Sequence, residues 1–223
     1  MPDGYLFQDR QDAGRQLARA LAVYKGLPHA IILALPRGGV VVGLEISLAL
    51  GVPMDVLVTR KLGTPGNPEL AMGALTETGY RHLNTEIIQQ FAVSDRELEQ
   101  EVQRQRMEID RRIQRYRRGE PLPSLADRTV ILVDDGIATG ATFFASLAAL
   151  RVGSVHRLIA AVPVAPPRVP FELRSHVDEA VILETPALFF GIGQFYADFA
   201  QVSDEEVISC LEESRKAGGS LTR

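Results

Sequence analysis

Asp134 and Asp135 are adjacent carboxylates at the tip of an aliphatic run, TVILV (129–133), and the seven residues behind them, GIATGAT (136–142), are mostly small or hydroxylated. Neighbouring like charges repel, and Gly, Ala and Thr bury little surface, so the stretch reads as shaped for a ligand. Ligands of open α/β sheets bind at the carboxyl ends of the strands. Backbone N–H groups of Ala138, Thr139, Gly140, Ala141 and Thr142 at a helix N-terminus would favour a phosphate. Thr139 and Thr142 add hydroxyl donors, and Gly136 and Gly140 let the backbone come close. The carboxylates suit sugar hydroxyls or the shell of a Mg²⁺ ion better than they suit a phosphate. A ribose 5-phosphate unit satisfies all of these groups. A helix N-cap, worth roughly 0.5–2 kcal/mol, would account for one Asp but not for two.

Five aliphatic runs could carry such a site: AIILAL (30–35), MDVLVT (54–59), TVILVDD (129–135), HRLIAAVPV (156–164) and DEAVILET (178–185). Unbroken runs of this kind read as strands buried on both faces. They alternate with helical spacings, including VVVGLEISLALG (40–51) and GATFFASLAALRVG (140–153). The expected fold is a doubly wound, mainly parallel, five-stranded α/β sheet. Ser94 with Glu97, and Ser203 with Glu206, open two helices as capping boxes. The first of these helices carries one apolar stripe, Leu98, Val102, Ile109, Ile113 and Tyr116, which suggests a hood over the sheet or a dimer contact. The Gly- and Pro-dense stretch 60–79 reads as a long functional loop or as a loop feeding a short ribbon.

VILVDDGIATGAT (130–142) resembles the phosphoribosyl pyrophosphate (PRPP) motif of the type I phosphoribosyltransferase family, with one departure, Gly136 where an aliphatic residue is usual. PRGG (36–39), after the first strand, is similar to that family's pyrophosphate loop. RKLGTPGNPELAMGA (60–74) and GQFYADFAQVSDEEV (193–207) extend the likeness to a group of bacterial phosphoribosyltransferases without an assigned acceptor. The resemblance implies a single domain over 1–223, with a flexible lid loop at 60–79, a helical insertion at 84–118 and a C-terminal hood at 186–217. It implies Mg-dependent transfer of 5-phosphoribosyl from PRPP to a nitrogen acceptor of nucleobase type, with release of pyrophosphate.

The resemblance also assigns roles. Asp134, Asp135, Gly136, Ala138, Thr139, Gly140, Ala141 and Thr142 would hold ribose and 5-phosphate, with Asp134 and Asp135 meeting Mg²⁺ mostly through water or substrate. Arg37, Gly38, Gly39 and Lys61 would hold the pyrophosphate, and Arg37–Gly38 is the candidate for a cis peptide. Where one branch of the family keeps an Asp base, this chain has Ala138. Glu69 is then the first candidate base and Glu77 the second. Phe189, Phe190, Phe195 and Tyr196 are candidates to stack on the acceptor. A homodimer is expected.

Bulk properties bound the alternatives. A net charge of −4 gives no general attraction to nucleic acid or anionic membrane. One cysteine, Cys210, fits a reducing, cytoplasmic setting. The opening residues lack the pattern of a signal peptide, and no apolar run reaches the ~20 residues of a membrane span. The four histidines and Cys210 show no zinc spacing. The competing reading is a PRPP-binding regulatory protein, with little catalysis, that contacts nucleic acid through Arg111, Arg112, Arg115, Arg117 and Arg118.

Overall fold

The computed structural model describes residues 5–153 and 155–218. Helix α1 (Arg10–Ala20) opens on Asp9, whose side chain accepts from the Asp12 N–H. Strand β1 (Ala30–Ala34) leads into α2 (Gly38–Leu50), and β2 (Met54–Val56) follows. The chain then builds a second unit before it returns to the first. β3 (Thr59–Thr64), β4 (Asn67–Thr76) and β5 (Arg81–Leu83) precede α3 (Thr85–Gln90) and α4 (Asp95–Arg117). After this unit come β6 (Thr129–Val133), α5 (Ala141–Val152), β7 (Arg157–Val164), the short α6 (Val169–Leu173), β8 (Glu179–Glu184) and α7 (Asp204–Gly218). The main sheet has the order β2-β1-β6-β7-β8, and every pair in it is parallel.

The five expected strands are all present, with two corrections. The run 54–59 divides, because β2 stops at Val56 and the chain leaves the sheet for a new strand at Thr59. The fifth run, β8, is an edge strand of mostly half-buried residues, with no further strand beside it among the described residues. The core lies on both faces of the sheet. Alternate residues of β1 and β6 divide between two clusters: Ile32, Ala34, Ile131 and Val133 face α1, α2 and α7, while Ile31, Leu33, Val130 and Leu132 face α5. That two-sided burial is why these strands lack polar alternation.

The second unit settles the stretch 60–79, which is not structureless: β3, β4 and β5 form an antiparallel three-stranded sheet. A register shift near Gly63 bends this ribbon. The Ser94–Glu97 capping box on α4 forms as its spacing predicts, and Ser203 and Glu206 exchange the same pair of bonds at the start of α7. The stripe on α4 is covered within the chain. Val102, Ile109 and Tyr116 are buried, and Leu98 and Ile113 pack on the same cluster. The stripe therefore faces the chain's own core.

Candidate donor site at the sheet edge

Asp134 and Asp135 stand just beyond the end of β6, and the loop 136–140 leads into α5. Gly140, at φ 84°, is the N-cap of α5. That left-handed conformation suits glycine, and a side chain there would run into the Phe144 ring. Arg168, the N-cap of α6, supports this loop, donating to the Ala138 carbonyl oxygen at 3.0 Å. Ser146, one turn into α5, donates to the Thr142 carbonyl oxygen and also bonds the Thr59 hydroxyl at the start of the ribbon.

The PRGG loop lies directly against the acidic pair. A methyl group on Gly38 would overlap Asp135 Oδ2, and one on Gly39 would stand 2.8 Å from Asp134 Cα. Any larger residue at either position would drive the two loops apart. Gly136, the departure from the usual motif, has a similar cause: Ile192 occupies the space that its side chain would need. The cis peptide in this region is Pro36–Arg37, one bond earlier than the Arg37–Gly38 bond singled out by resemblance.

The two carboxylates differ in surroundings. Asp135 is buried, and Arg10 Nε donates to its Oδ2 at 2.7 Å. The Tyr196 hydroxyl donates to the Asp135 carbonyl oxygen at 2.7 Å. Asp134 is half-buried as a residue, but its carboxyl is enclosed beside Gly39, and its Oδ1 accepts the Asp135 N–H at 2.9 Å. Loss of solvent raises the pKa of Asp134 well above the usual Asp range, and the Asp135 charge adds to that. Burial also raises Asp135, against the opposing pull of Arg10. A further cation or hydroxyl donor beside the pair would favour its ionised form.

Other expected residues are placed differently. Arg37 precedes α2, and its nearest carboxylate is Asp204 at 3.8 Å, at the start of α7. Lys61 Nζ donates to both the side chain and the carbonyl oxygen of Glu69, each at 3.1 Å, so these two expected site residues engage each other. Glu77 is buried in an ion pair with Arg117 and accepts the Val58 N–H at 2.7 Å. A carboxylate so enclosed is part of the scaffold. The aromatic set also divides. Phe195 and Tyr196 are buried with Phe7, leaving no open ring face for an acceptor; Phe189 is half-buried against Phe195, and Phe190 is 90% exposed. A cavity of about 440 Å³ lies instead between the ribbon and α5, lined in part by Leu70, His82, Asn84, Thr139, Phe144 and His176. His82 and His176 thus share one cavity, which their separation in sequence conceals.

The arginine cluster is largely engaged within the chain. Arg111 and Arg112 pair with Glu108, Arg115 pairs with Asp204 and Glu205, and Arg117 is buried on Glu77. No helix among the described residues is long and apolar enough to cross a membrane.

Two motif loops meeting at the carboxyl edge of a parallel sheet are matched by the family profile described as phosphoribosyl transferase domain, over residues 10–198. The chain belongs to the phosphoribosyl transferase family. Two Mycobacterium tuberculosis proteins, from strains CDC 1551 and H37Rv, carry the provisional name of phosphoribosyl transferase and are each 43% identical over 211 residues. That alignment covers 95% of this chain and 47% of each relative, so the chain spans about half the length of the curated relatives it matches. The crystal structure of TT1426 from Thermus thermophilus is 43% identical, with a TM-score of 0.77, over 93% of this chain and 98% of that one. The transferase fold expected from the sequence is therefore the fold of this family.

Four residues of the site escape sequence reasoning: Arg10, Arg168, Ile192 and Ser146. Arg10 lies 125 positions from Asp135, in a helix whose pattern gives no hint of that contact. Arg168 sits in the expected turn PPRVP, but its partner, a backbone carbonyl, leaves no trace in sequence.

Proposed function

We propose that this domain transfers a 5-phosphoribosyl group from PRPP to a nitrogen acceptor of nucleobase type, releasing pyrophosphate. The observation that carries the proposal is the contact of Gly38 and Gly39 with Asp134 and Asp135, which sets two candidate ligand-binding loops side by side. Thr139 to Thr142 would receive the 5-phosphate at the N-terminus of α5. Asp134 would accept hydrogen bonds from the ribose hydroxyls and offset positive charge developing on the ring. The Gly38 and Gly39 N–H groups, with Arg37, would hold the departing pyrophosphate. Arg37 belongs to this loop, and its long contact with Asp204 is weak enough to give up.

Magnesium fits the donor set. Asp134 and Asp135 are carboxylates raised in pKa by burial, and a neighbouring cation would favour their ionised form. They would hold the ion chiefly through substrate oxygens, as is usual for Mg²⁺. When bound, the ion supplies neutralisation of the pyrophosphate charge.

Lys61 would have to leave Glu69 to reach the pyrophosphate, and Glu69 would then be released as a candidate base. Both are on the ribbon, whose closure would also exclude water. The acceptor would enter beside the ribbon; the cavity lined by His82, Asn84 and Phe144 offers an aromatic, partly polar wall. The regulatory reading is the weaker one, because most of its arginines are satisfied by the chain's own carboxylates. The deciding experiment incubates the protein with Mg-PRPP and a panel of nucleobases and measures pyrophosphate release. Release with at least one base is expected; PRPP binding with no release for any heterocycle would refute catalysis.

A further inference from the structure

Arg10 is the first residue of α1, and three segments far apart in the chain converge on it. Its Nε bonds Asp135 Oδ2 at 2.7 Å, its Nη1 donates to the Ala200 carbonyl oxygen at 2.8 Å, and its guanidinium lies 3.8 Å from the centre of the Phe199 ring. The side chains of Arg10 and Asp135 are only 11% and 12% exposed. The PRGG loop rests on this pair, since a methyl group on Gly38 would stand 2.8 Å from Arg10 Nε as well as against Asp135. Tyr196 fixes the Asp135 backbone from the same side as Phe199. Asp135 Oδ2 is therefore paired with a cation of the protein, whereas Asp134 Oδ1 accepts the backbone N–H of Asp135.

We propose that Arg10 is a positioning residue of the donor site: through Asp135 it sets the separation between the PRGG loop and the strand-tip loop. This role rests on the donor reading of the site. The two loops would hold opposite ends of one ligand. A shift in their separation penalises a molecule that spans both, while a fragment that touches only one loop is indifferent to it. Arginine suits the task because its planar fork serves two acceptors and stacks on a ring at once, which an ammonium cannot do.

The test measures calorimetric binding of Mg-PRPP, ribose 5-phosphate and Mg-pyrophosphate to the full chain. It compares wild type with Arg10→Gln, Arg10→Lys and, as a control on the same helix, Arg15→Gln. Arg15 is half exposed, and its contact with Glu45 is 3.7 Å long. Arg10→Gln should weaken Mg-PRPP on the order of 10- to 100-fold and each fragment by less than about 3-fold. Arg10→Lys should recover part of the loss, and Arg15→Gln should change nothing. Equal losses for the whole ligand and its fragments, or no loss at all, would overturn the positioning role. Thermal unfolding checks that the variants fold; if Arg10→Gln does not, the Lys variant carries the same comparison. Wild-type protein that binds neither PRPP nor its fragments would overturn the donor reading, and Arg10's role with it. Binding with uniform losses would remove Arg10's role alone.

Discussion

The sheet edge and the ribbon both present charged residues that chemistry could use, yet they are held in different ways. At the edge, Asp135 meets Arg10, Gly38 and Tyr196, groups from three distant segments packed closely around it. On the ribbon, Lys61 meets Glu69 eight residues away, and the Glu69 side chain is 94% exposed. The first arrangement costs desolvation and needs a fixed geometry to offset it. The second costs little and breaks easily. The edge holds its charge in packed contacts from distant segments, whereas the Lys61–Glu69 pair is local and open to solvent.

The base of the ribbon is an exception, and breaking it should give the largest effect on stability. Glu77 and Arg117 are both buried, and Arg117 Nε and Nη1 have no hydrogen-bond partner among the described residues. Glu77→Gln would leave a buried guanidinium uncompensated and should cost about 3–5 kcal/mol in denaturant unfolding. Adding Arg117→Met should recover much of that. If Glu77→Gln costs under about 1 kcal/mol, the ribbon is not anchored through this pair.

At the edge, Asp134→Asn should reduce Mg-PRPP affinity by about 100-fold or more, read by calorimetry. The same change should raise the unfolding temperature of the ligand-free protein at neutral pH. The sign follows from the raised pKa of Asp134. Below the ordinary Asp range it is protonated both folded and unfolded, and stability is at its fullest. As pH rises from the ordinary Asp value towards the raised one, the fold must carry either a bound proton or an ion it disfavours, and stability falls. A variant that lost both binding and stability would mean that Asp134 serves the fold as well as the ligand.

Lys61→Ala should lower turnover about tenfold while changing stability by less than about 1 kcal/mol, since its pair is exposed. Unchanged turnover would leave the ribbon without a catalytic cation. The smallest effect belongs to Glu108, whose carboxyl is held down at about 2, first by the hydrogen bond from Arg111. Its contribution is present above the ordinary Glu range and is lost as pH falls toward 2. Glu108→Gln should cost less than about 1 kcal/mol at neutral pH, measured by thermal unfolding.

Much of this was legible in the chain. β1 and β6 are continuous aliphatic runs because both of their faces are covered, and the capping box at Ser94 and Glu97 is a purely local device. The ribbon was harder to read. Its strands are rich in Gly and Pro and twist around a bulge, so the period-2 signal is broken. The aromatics near 190 misled for another reason. Phe195 and Phe190 carry the same composition signal, and only the packing of Phe7 and Val164 makes one of them core and leaves the other exposed.

Backbone preference, apolar period and small residues are properties of short segments, so the chain alone dictates the succession of strands and helices and the two loops at the carboxyl edge. It also announces that two acids stand together at a strand tip. Which acid is paired with a guanidinium depends on long-range packing. Asp134 and Asp135 are chemically identical neighbours, and what separates them is a guanidinium brought from residue 10 and a hydroxyl brought from residue 196. Contacts at such separations leave no periodic trace in the chain, because they depend on where whole elements dock and not on what adjoins each residue.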